Sequence, residues 1–287
     1  MANGLLIKFK IKMLYTKKDK NKFIVQEMYD GLDSRIKSST SDCYYLNLGY
    51  WKNTNITKQA CEQMIDKVIK YANLNDSQIL LDVGYGYGDQ DIYLATKIPH
   101  LSIYGINIIA NQVKQAQLKV LKNNLSNRVC LQKGDAISLE FKDNTFDTII
   151  AIESAFHFNT REKFFREAFR TLKKNGTLCL TDCLPSTKIT NPDFQTNSER
   201  FGIPIENQYN ISEYVKKLQK TGFSSITYEE ITEKVIPYSA AEVTNKNGWR
   251  TESIVNLPED KDTIDDLINN FNIATTIEHY YIIKAMK

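Results

Sequence analysis

Residues 79–88 read Ile-Leu-Leu-Asp-Val-Gly-Tyr-Gly-Tyr-Gly, and this stretch decides the fold class of the chain. A short apolar run that ends in closely spaced glycines predicts a buried strand that turns sharply into a helix. Because Gly84, Gly86 and Gly88 have no Cβ atom, the backbone can also let a ligand lie against it. The spacing is GxGxG, which differs from the GxGxxG of dinucleotide-binding sites. For the motif alone, a tight turn without a ligand is an open alternative.

Short apolar runs alternate with helical patterns along most of the chain. Strands and helices that alternate through short links form βαβ units, which predicts an α/β fold with a mostly parallel sheet. The helix that begins near residue 160 is expected to end at Lys173-Lys174-Asn175-Gly176, basic residues followed by a glycine. The predicted strands are 79–83, 101–106, 129–132, 146–152, 177–181, 223–231 and 280–285, and the predicted helices are 23–32, 57–72, 89–97, 109–123, 160–173 and 211–221.

Polar residues follow the predicted strands at the points where the strands end. Asn107 comes after the second strand, Asp135 after the third, Glu153 after the fourth and Asp182 after the fifth. Open α/β sheets bind their ligands at this carboxyl edge. There, Asn107 can reach ribose hydroxyls and Asp135 can accept from an exocyclic adenine amine, although a capping role explains Asp135 equally well. The ordered set predicts a nucleoside pocket.

The composition is that of an ordinary globular protein and excludes several classes. Of the 287 residues, 42% are hydrophobic and 25% are charged, which excludes collagen-like, coiled-coil and mostly disordered chains. The sequence has no run of ~18 apolar residues, so we expect no stable membrane insertion. Five scattered cysteines indicate free thiols in a reducing compartment, and we expect a cytoplasmic protein. Three distant histidines argue against a metal site.

The net charge of +3 is unevenly distributed along the chain. Residues 1–22 hold seven lysines and one acid, so the rest of the chain carries a net charge of −3. A mildly acidic body argues against nucleic acid as a partner. The basic residues 1–22 are expected to form a loose leader.

The order and spacing of these motifs resemble a known enzyme family. Over residues 44–182 the chain resembles class I S-adenosylmethionine-dependent methyltransferases. Within them it is similar to natural-product small-molecule O-methyltransferases, such as the sugar O-methyltransferase of rebeccamycin biosynthesis, and to the tocopherol, sterol and cyclopropane-synthase branch. The resemblance rests on five segments: Leu46-Asn47-Leu48-Gly49-Tyr50-Trp51, the glycine loop, Gly105-Ile106-Asn107-Ile108 with Gln112, Gly134-Asp135-Ala136 and Ala151-Ile152-Glu153-Ser154-Ala155-Phe156-His157-Phe158.

This resemblance implies a fold, a cofactor and a set of cofactor-binding residues. The fold is a Rossmann-like seven-stranded sheet of order 3-2-1-4-5-7-6 with flanking helices, and its last strand, 279–286, runs antiparallel. The cofactor is S-adenosyl-L-methionine, which leaves as S-adenosyl-L-homocysteine. The implied cofactor-binding residues are Tyr50, Trp51, Asp82, Gly84, Tyr85, Gly86, Gly88, Asn107, Ile108, Gln112, Asp135, Ala136 and Glu153.

The aromatic residues of that set have their own rationale. Aromatic ring faces attract cations, so Tyr50 and Trp51 could pack against the sulfonium. Packing of the N-terminal helices on the sheet is the alternative for both. Tyr85 stands where the family usually has a cysteine, which makes it a bulkier neighbour of the methionine moiety.

A hydroxyl acceptor must lose a proton during methyl transfer, and His157 is the predicted general base. A histidine with a pKa near ~6.5 can take the proton, which typically contributes 10²–10⁴-fold. Strands four and five are neighbours in the implied topology, so Asp182 could orient the imidazole. The alternatives are that His157 forms the pocket wall and that Asp182 caps a helix or turn.

The chain divides into five parts on this interpretation. The segment 185–210 contains three prolines and many polar residues, which is typical of a lid or binding loop, and 237–277 is expected to add helix to it. The parts are a leader (1–22), an N-terminal helical cover (23–75), the cofactor-binding core (76–184), a lid and acceptor region with strand six (185–277), and the last strand of the core sheet (278–287).

The predicted function is O-methylation of a small-molecule acceptor in secondary metabolism. N- or C-methylation and a cyclopropane-synthase-like reaction on lipid are alternatives within the family. A non-catalytic S-adenosylmethionine-binding protein is the alternative from another class. The sequence is also compatible with a homo-oligomer.

Overall fold

The computed structural model describes residues 21–29, 44–187, 198, 202–235 and 279–287. The predicted leader before residue 21 and the predicted helical addition at 237–277 lie outside the described residues. The strands are β1 (Ile79–Val83), β2 (Ser102–Asn107), β3 (Val129–Lys133), β4 (Phe146–Ile152), β5 (Leu172–Leu184), β6 (Ser224–Glu230) and β7 (His279–Met286). The helices are α1 (21–29), α2 (Thr57–Ala72), α3 (Asp89–Lys97), α4 (Ala110–Lys122), α5 (Arg161–Thr171) and α6 (Ile211–Thr221). No described helix is long and apolar enough to cross a membrane.

The seven described strands form one sheet in the order β3-β2-β1-β4-β5-β7-β6. Strands β1 to β5 pair in parallel, and β7 runs antiparallel between β5 and β6. The predicted fold class, strand order and antiparallel last strand are therefore confirmed. Because the first five strands are parallel, their carboxyl ends meet at one edge of the sheet.

Both faces of the sheet are buried under helices. Leu80 of β1 belongs to the apolar cluster that contains Met64 and Ile65 of α2. Its neighbour Leu81 belongs to a second cluster, with Phe164 and Phe165 of α5. Successive side chains of a strand point to opposite faces, so covering both faces requires a nearly continuous apolar strand. This explains the apolar run that precedes the glycine loop.

The end of α5 differs from the prediction. The helix ends at Thr171, and β5 begins at Leu172 and continues through the lysines and Gly176. Leu172 is fully buried and pairs with Phe146 of β4, and the amide N–H of Lys287 donates to the carbonyl of Gly176. The predicted helix is present, but it ends two residues earlier than expected, and the predicted stop at Gly176 is wrong because sheet pairing outweighs the local signal.

A buried ion pair joins α5 to the end of β5. The Nε and Nη2 atoms of Arg161 lie 2.8 and 2.7 Å from Oδ2 and Oδ1 of Asp182, and the two residues are 1% and 0% exposed. Tyr214 of α6 donates its hydroxyl hydrogen to Oδ2 of Asp182 at 3.1 Å. The guanidinium also lies 5.3 and 5.4 Å from the ring centroids of Tyr209 and Tyr214. The pair thus connects three elements on one side of the sheet.

Removal of one partner of this pair should be strongly destabilising. Asp182→Ala leaves the Arg161 guanidinium buried without its counter-charge, and we expect the free energy of unfolding to fall by about 3–5 kcal/mol. Lys173→Ala is the control, since it breaks the partly exposed Lys173–Asp147 pair, and such a pair contributes about 0–1 kcal/mol. Urea unfolding measures both, and equal small losses would contradict the prediction.

Candidate active site

A cavity opens at the carboxyl edge of the sheet, between the glycine loop, the ends of β2 and β4, the segment 44–47 and α1. Its empty space is about 980 Å³, including solvent at the mouth. The predicted site residues that line it are Gly84, Tyr85, Gly86, Asn107, Ile108, Gln112, Asp135, Ala136, Glu153 and His157. The lining residues that sequence analysis did not assign to the site include Asn21, Lys22, Tyr29 and Asn47.

Two of the three loop glycines form the wall of the cavity. Gly84 and Gly86 have φ angles of +89° and +61°, a conformation that side chains disfavour. A Cβ atom on Gly84 would lie 2.4 Å from the Cβ of Ser154. Gly88 is the N-cap residue directly before α3, and a Cβ there would lie 2.8 Å from the Cβ of Ala116 in α4. Within the part of the chain that the structure describes, Gly88 therefore allows close helix packing rather than lining the cavity.

The predicted aromatic contacts with the sulfonium are absent from the described part of the cavity wall. Trp51 is buried, and its indole N–H donates to the carbonyl of Leu48 at 2.8 Å. The ring of Tyr50 faces the ammonium of Lys67 at 5.2 Å. The prediction for Tyr50 and Trp51 is corrected because both residues take part in packing around α2, which contains Lys67.

Asp82 and Tyr85 also face protein groups. Asp82 is fully buried, and its Oδ2 atom accepts from Nε2 of Gln90 at 2.5 Å. This bond connects β1 to α3 across the glycine loop, so Asp82 stabilises the loop. Tyr85 lines the cavity, but its hydroxyl donates to the carbonyl of Gln132 at 3.2 Å. Its ring occupies the space beside Gly105, where a Cβ would come within 2.7 Å of it. The ring of Tyr85 thus packs against β2 while the residue lines the cavity, and its contact with the methionine moiety stays a prediction.

Two buried amide nitrogens in the cavity wall lack hydrogen-bond partners among the described residues. Nδ2 of Asn107 donates to the carbonyl of Gly86 at 3.1 Å and to Oε1 of Gln112 at 2.7 Å. This arrangement leaves Nε2 of Gln112 without a hydrogen-bond partner. Nδ2 of Asn47 also has no partner among the described residues. Such groups usually require a specific explanation in a native structure. Because Asn47 and Gln112 both line the cavity, their side-chain amides are candidate donors to a ligand.

Helix α1 lies over the cavity and bonds to its acidic wall. Nζ of Lys22 lies 2.5 Å from Oδ2 of Asp135, and Oδ1 of Asp135 accepts from the amide N–H of Ile137 at 3.2 Å. The carboxylate of Asp135, which was predicted to accept from an adenine amine, thus accepts from the ammonium of Lys22 on α1. The helical spacing of this region predicts a helix but gives no signal that it covers the site.

Glu153 connects the end of β4 to the segment before α2. Its Oε1 atom accepts from the amide N–H of Leu48 at 2.8 Å and from the hydroxyl of Tyr280 at 2.6 Å. Burial raises the pKa of Glu153 to about 7. The residue lines the cavity and at the same time anchors the segment 44–50 through Leu48.

His157 lies in the short 3₁₀ turn after β4 and lines the cavity. Its Nδ1 atom is 3.2 Å from the carbonyl oxygen of Gly202, and its Nε2 atom is 3.2 Å from the hydroxyl oxygen of Tyr29. Because a carbonyl oxygen can only accept, Nδ1 carries the hydrogen and Nε2 is the acceptor. Burial, with a smaller contribution from the charge of Arg161, lowers the pKa of His157 to about 4.

The predicted contact between Asp182 and His157 is wrong. Both carboxylate oxygens of Asp182 bond to the guanidinium of Arg161. A buried arginine requires a buried counter-charge, and the sequence analysis had no signal that Arg161 would be buried beside Asp182. The imidazole is held by Gly202 and Tyr29 instead, so the expected pKa near 6.5 is also corrected.

The chain is similar to several known methyltransferases. A family model described as a methyltransferase domain matches residues 81–180. The chain is similar to erythromycin 3''-O-methyltransferase of Saccharopolyspora erythraea, with 30% identity over 209 residues that cover 69% of this chain and 68% of that protein. It is 28% identical over 212 residues to 27-O-demethylrifamycin SV methyltransferase of Amycolatopsis mediterranei, covering 73% and 77%. Similar proteins also include a sterol 24-C-methyltransferase of Gibberella zeae, at 30% over 165 residues that cover 56% of this chain and 43% of that protein.

Solved structures share the fold. The [4+2]-cyclase SpnF superposes with a TM-score of 0.71 at 24% identity, covering 92% of this chain and 95% of that chain. A phosphoethanolamine N-methyltransferase 2 of Haemonchus contortus, solved in complex with S-adenosyl-L-methionine, gives a TM-score of 0.63 at 19% identity and covers 78% of this chain and 52% of that chain.

Proposed function

The chain belongs to the S-adenosylmethionine-dependent methyltransferase family, and from this premise we propose that it methylates a hydroxyl group of a small-molecule acceptor. The observation that carries the proposal is the 3.2 Å contact between Nδ1 of His157 and the carbonyl oxygen of Gly202, which leaves Nε2 as an acceptor in a residue that lines the cavity. The similarity to two antibiotic-pathway methyltransferases, one of them named as an O-methyltransferase, supports it. We further propose a role in secondary metabolism and a cytoplasmic location.

The cavity fits the family's cofactor. When bound, S-adenosylmethionine supplies an activated methyl group on its sulfonium. Asp135 would hold the adenine amine, Asn107 and Gln112 would hold the ribose, and the backbone at Gly84 and Gly86 would allow close approach. Two observations support the fit: the unpartnered Nε2 of Gln112, and an Asp135 carboxylate that accepts from a nitrogen donor inside the cavity.

His157 is the proposed acceptor of the hydroxyl proton. Its Nε2 atom accepts from the hydroxyl of Tyr29 in this structure, so the position is suited to a hydroxyl donor. With a pKa of about 4, the imidazole is neutral near pH 7, and it can act as a base once the acceptor hydroxyl replaces that of Tyr29 at Nε2. A base this weak should contribute near the lower end of the ~10²–10⁴-fold range.

The first test is to find the product. The purified protein is incubated with S-adenosylmethionine and an extract of the source organism, and mass spectrometry searches for a compound that gains one methyl group. NMR of that product then identifies the methylated atom. Methylation of nitrogen or carbon would support the alternative acceptors, towards which the N- and C-methyltransferase relatives point. A lipid product containing a cyclopropane ring would support the cyclopropane-synthase alternative, and cofactor binding without any product would support a binding protein.

Substitution of His157 tests the base directly. We expect His157→Ala to lower kcat ~10²-fold, because the hydroxyl proton loses its acceptor, while calorimetry shows unchanged cofactor affinity. His279→Ala is the matched control, since His279 is partly exposed at the start of β7 and pairs with Glu230. If both variants retain normal turnover, the proposed base is wrong.

The pH dependence of turnover should reflect the lowered pKa of His157. Protonation of Nε2 removes the base, so kcat falls as the pH falls through the pKa. With that pKa at about 4, we expect kcat to stay constant from about pH 8 to about pH 5. An acid limb centred near 6.5 would instead indicate an imidazole with an ordinary pKa.

Gln112→Met tests the fit of the cofactor. Losing one neutral hydrogen bond costs about 0.5–1.5 kcal/mol, so affinity for S-adenosylmethionine should fall by up to roughly tenfold. The free energy of unfolding should change little, because the lost bond from Asn107 is offset by removal of an unpartnered buried donor. Gln117→Met on the same helix is the control: Nε2 of Gln117 donates to the carbonyl of Leu131 at 2.8 Å. It should lower stability and leave affinity unchanged, and the reverse pattern would contradict the placement of Gln112.

A further inference from the structure

The backbone on both sides of His157 is held by a single side chain. Nδ2 of Asn207 donates to the carbonyl of Phe156 at 2.9 Å and to that of Phe158 at 2.7 Å. The carbonyl of His157 between them accepts from Nδ2 of Asn21 at 2.9 Å. The end of a helical turn leaves carbonyls without partners, and here three consecutive carbonyls are bonded by side-chain amides.

Asn207 is itself fixed on its other side. The residue is 1% exposed, and its Oδ1 atom accepts from the amide N–H of Arg161 at 3.0 Å. Its main-chain carbonyl accepts from Nη1 of Arg161, whose remaining guanidinium nitrogens bond to Asp182. Both amide hydrogens and the amide oxygen of Asn207 are therefore used. This defines the orientation of the amide group, because a flipped amide would face two carbonyls with its oxygen.

The same segment of chain contacts the imidazole ring. Gly202, five residues before Asn207, has a φ angle of +64°, and its carbonyl oxygen lies 3.2 Å from Nδ1 of His157. A Cβ atom on Gly202 would lie 2.6 Å from Val25 of α1. The segment 202–207 thus holds His157 at two places: Asn207 at the flanking peptide groups and Gly202 at the ring.

We infer that Asn207 is a positioning residue for His157. By fixing the carbonyls of Phe156 and Phe158, it keeps Nδ1 opposite the Gly202 carbonyl and so keeps Nε2 as the unprotonated nitrogen in the cavity. Asp182 does not contact His157; it bonds to Arg161, and Arg161 bonds to Asn207. The inference deepens the proposed function and rests on His157 being the base.

Asn207→Asp is the sharpest test because it keeps the shape and the acceptor for the amide N–H of Arg161, while a charged acceptor oxygen replaces the donor that faces the two carbonyls. In protein labelled with ¹⁵N-histidine, the wild-type His157 ring should show one tautomer, with Nδ1 protonated and Nε2 bare near pH 7. The variant should show exchange between tautomers and a higher pKa of His157. Its kcat should fall ~10-fold or more through misplacement of the base, with unchanged affinity for S-adenosylmethionine. Comparison with His157→Ala assigns the ring signals.

Asn210→Asp, three residues after Asn207, is the matched control. The Asn210 side chain caps α6 by accepting from the amide N–H of Glu213 at 3.1 Å, and aspartate caps a helix equally well. This variant should keep the wild-type tautomer of His157 and the wild-type kcat. If Asn210→Asp changed the tautomer of His157 and kcat as much as Asn207→Asp does, any charge added near His157 would have that effect. This outcome would overturn the inference.

Asn207→Ala provides a second variant, without the repulsion that an aspartate creates against two carbonyls. A folded variant of either kind with the wild-type tautomer and pKa of His157 overturns the inference. If neither variant shows a cooperative thermal transition, Asn207 serves the fold and the positioning assignment is likewise overturned. Normal turnover of His157→Ala would overturn the proposed base alone, because the ring signals of the Asn207 variants report on the positioning independently of activity.

Discussion

The ion pair between Arg161 and Asp182 is the interaction on which this side of the molecule depends. Two opposite charges that are almost fully buried must satisfy each other, because each alone would carry a large desolvation cost. The geometry that meets this requirement brings the start of α5 to the end of β5. It also fixes the backbone of Asn207, and through that residue the turn that contains His157. A chain of hydrogen bonds therefore connects this ion pair to the turn that contains the candidate base.

The cavity is completed by parts of the chain that are distant in sequence. The glycine loop and the ends of the parallel strands form its floor, which is the ordinary binding edge of an open α/β sheet. Its cover comes from α1 and the segment 44–47. Lys22 bonds to Asp135, and Tyr29 bonds to His157. The same short helix thus contacts both the proposed adenine site and the proposed base.

Local patterns predicted the elements well where burial and periodicity agreed. Strands β1 and β4, and helices α2, α3 and α6, begin and end at the predicted residues. The end of α5 was mispredicted because Leu172 pairs with β4 and Gly176 contacts the chain end, and neither contact is visible in a local window. The same limit applies to Tyr50 and Trp51: an aromatic run near the site indicates packing or ligand contact equally, and only tertiary neighbours distinguish the two.

The sequence by itself determined the fold class, the strand order through family resemblance, and the position of the pocket at the carboxyl edge. The fold class and the edge that holds the pocket follow from periodicity and from residues that are adjacent along the chain, whereas the strand order is what the resemblance implies. Only the tertiary structure decided the partners of the polar side chains. A buried carboxylate bonds to the nearest strong donor in space, so Asp182 bonds to Arg161 rather than to His157. Burial likewise sets the pKa of the imidazole. Both depend on how elements from across the chain pack together, which no local pattern encodes.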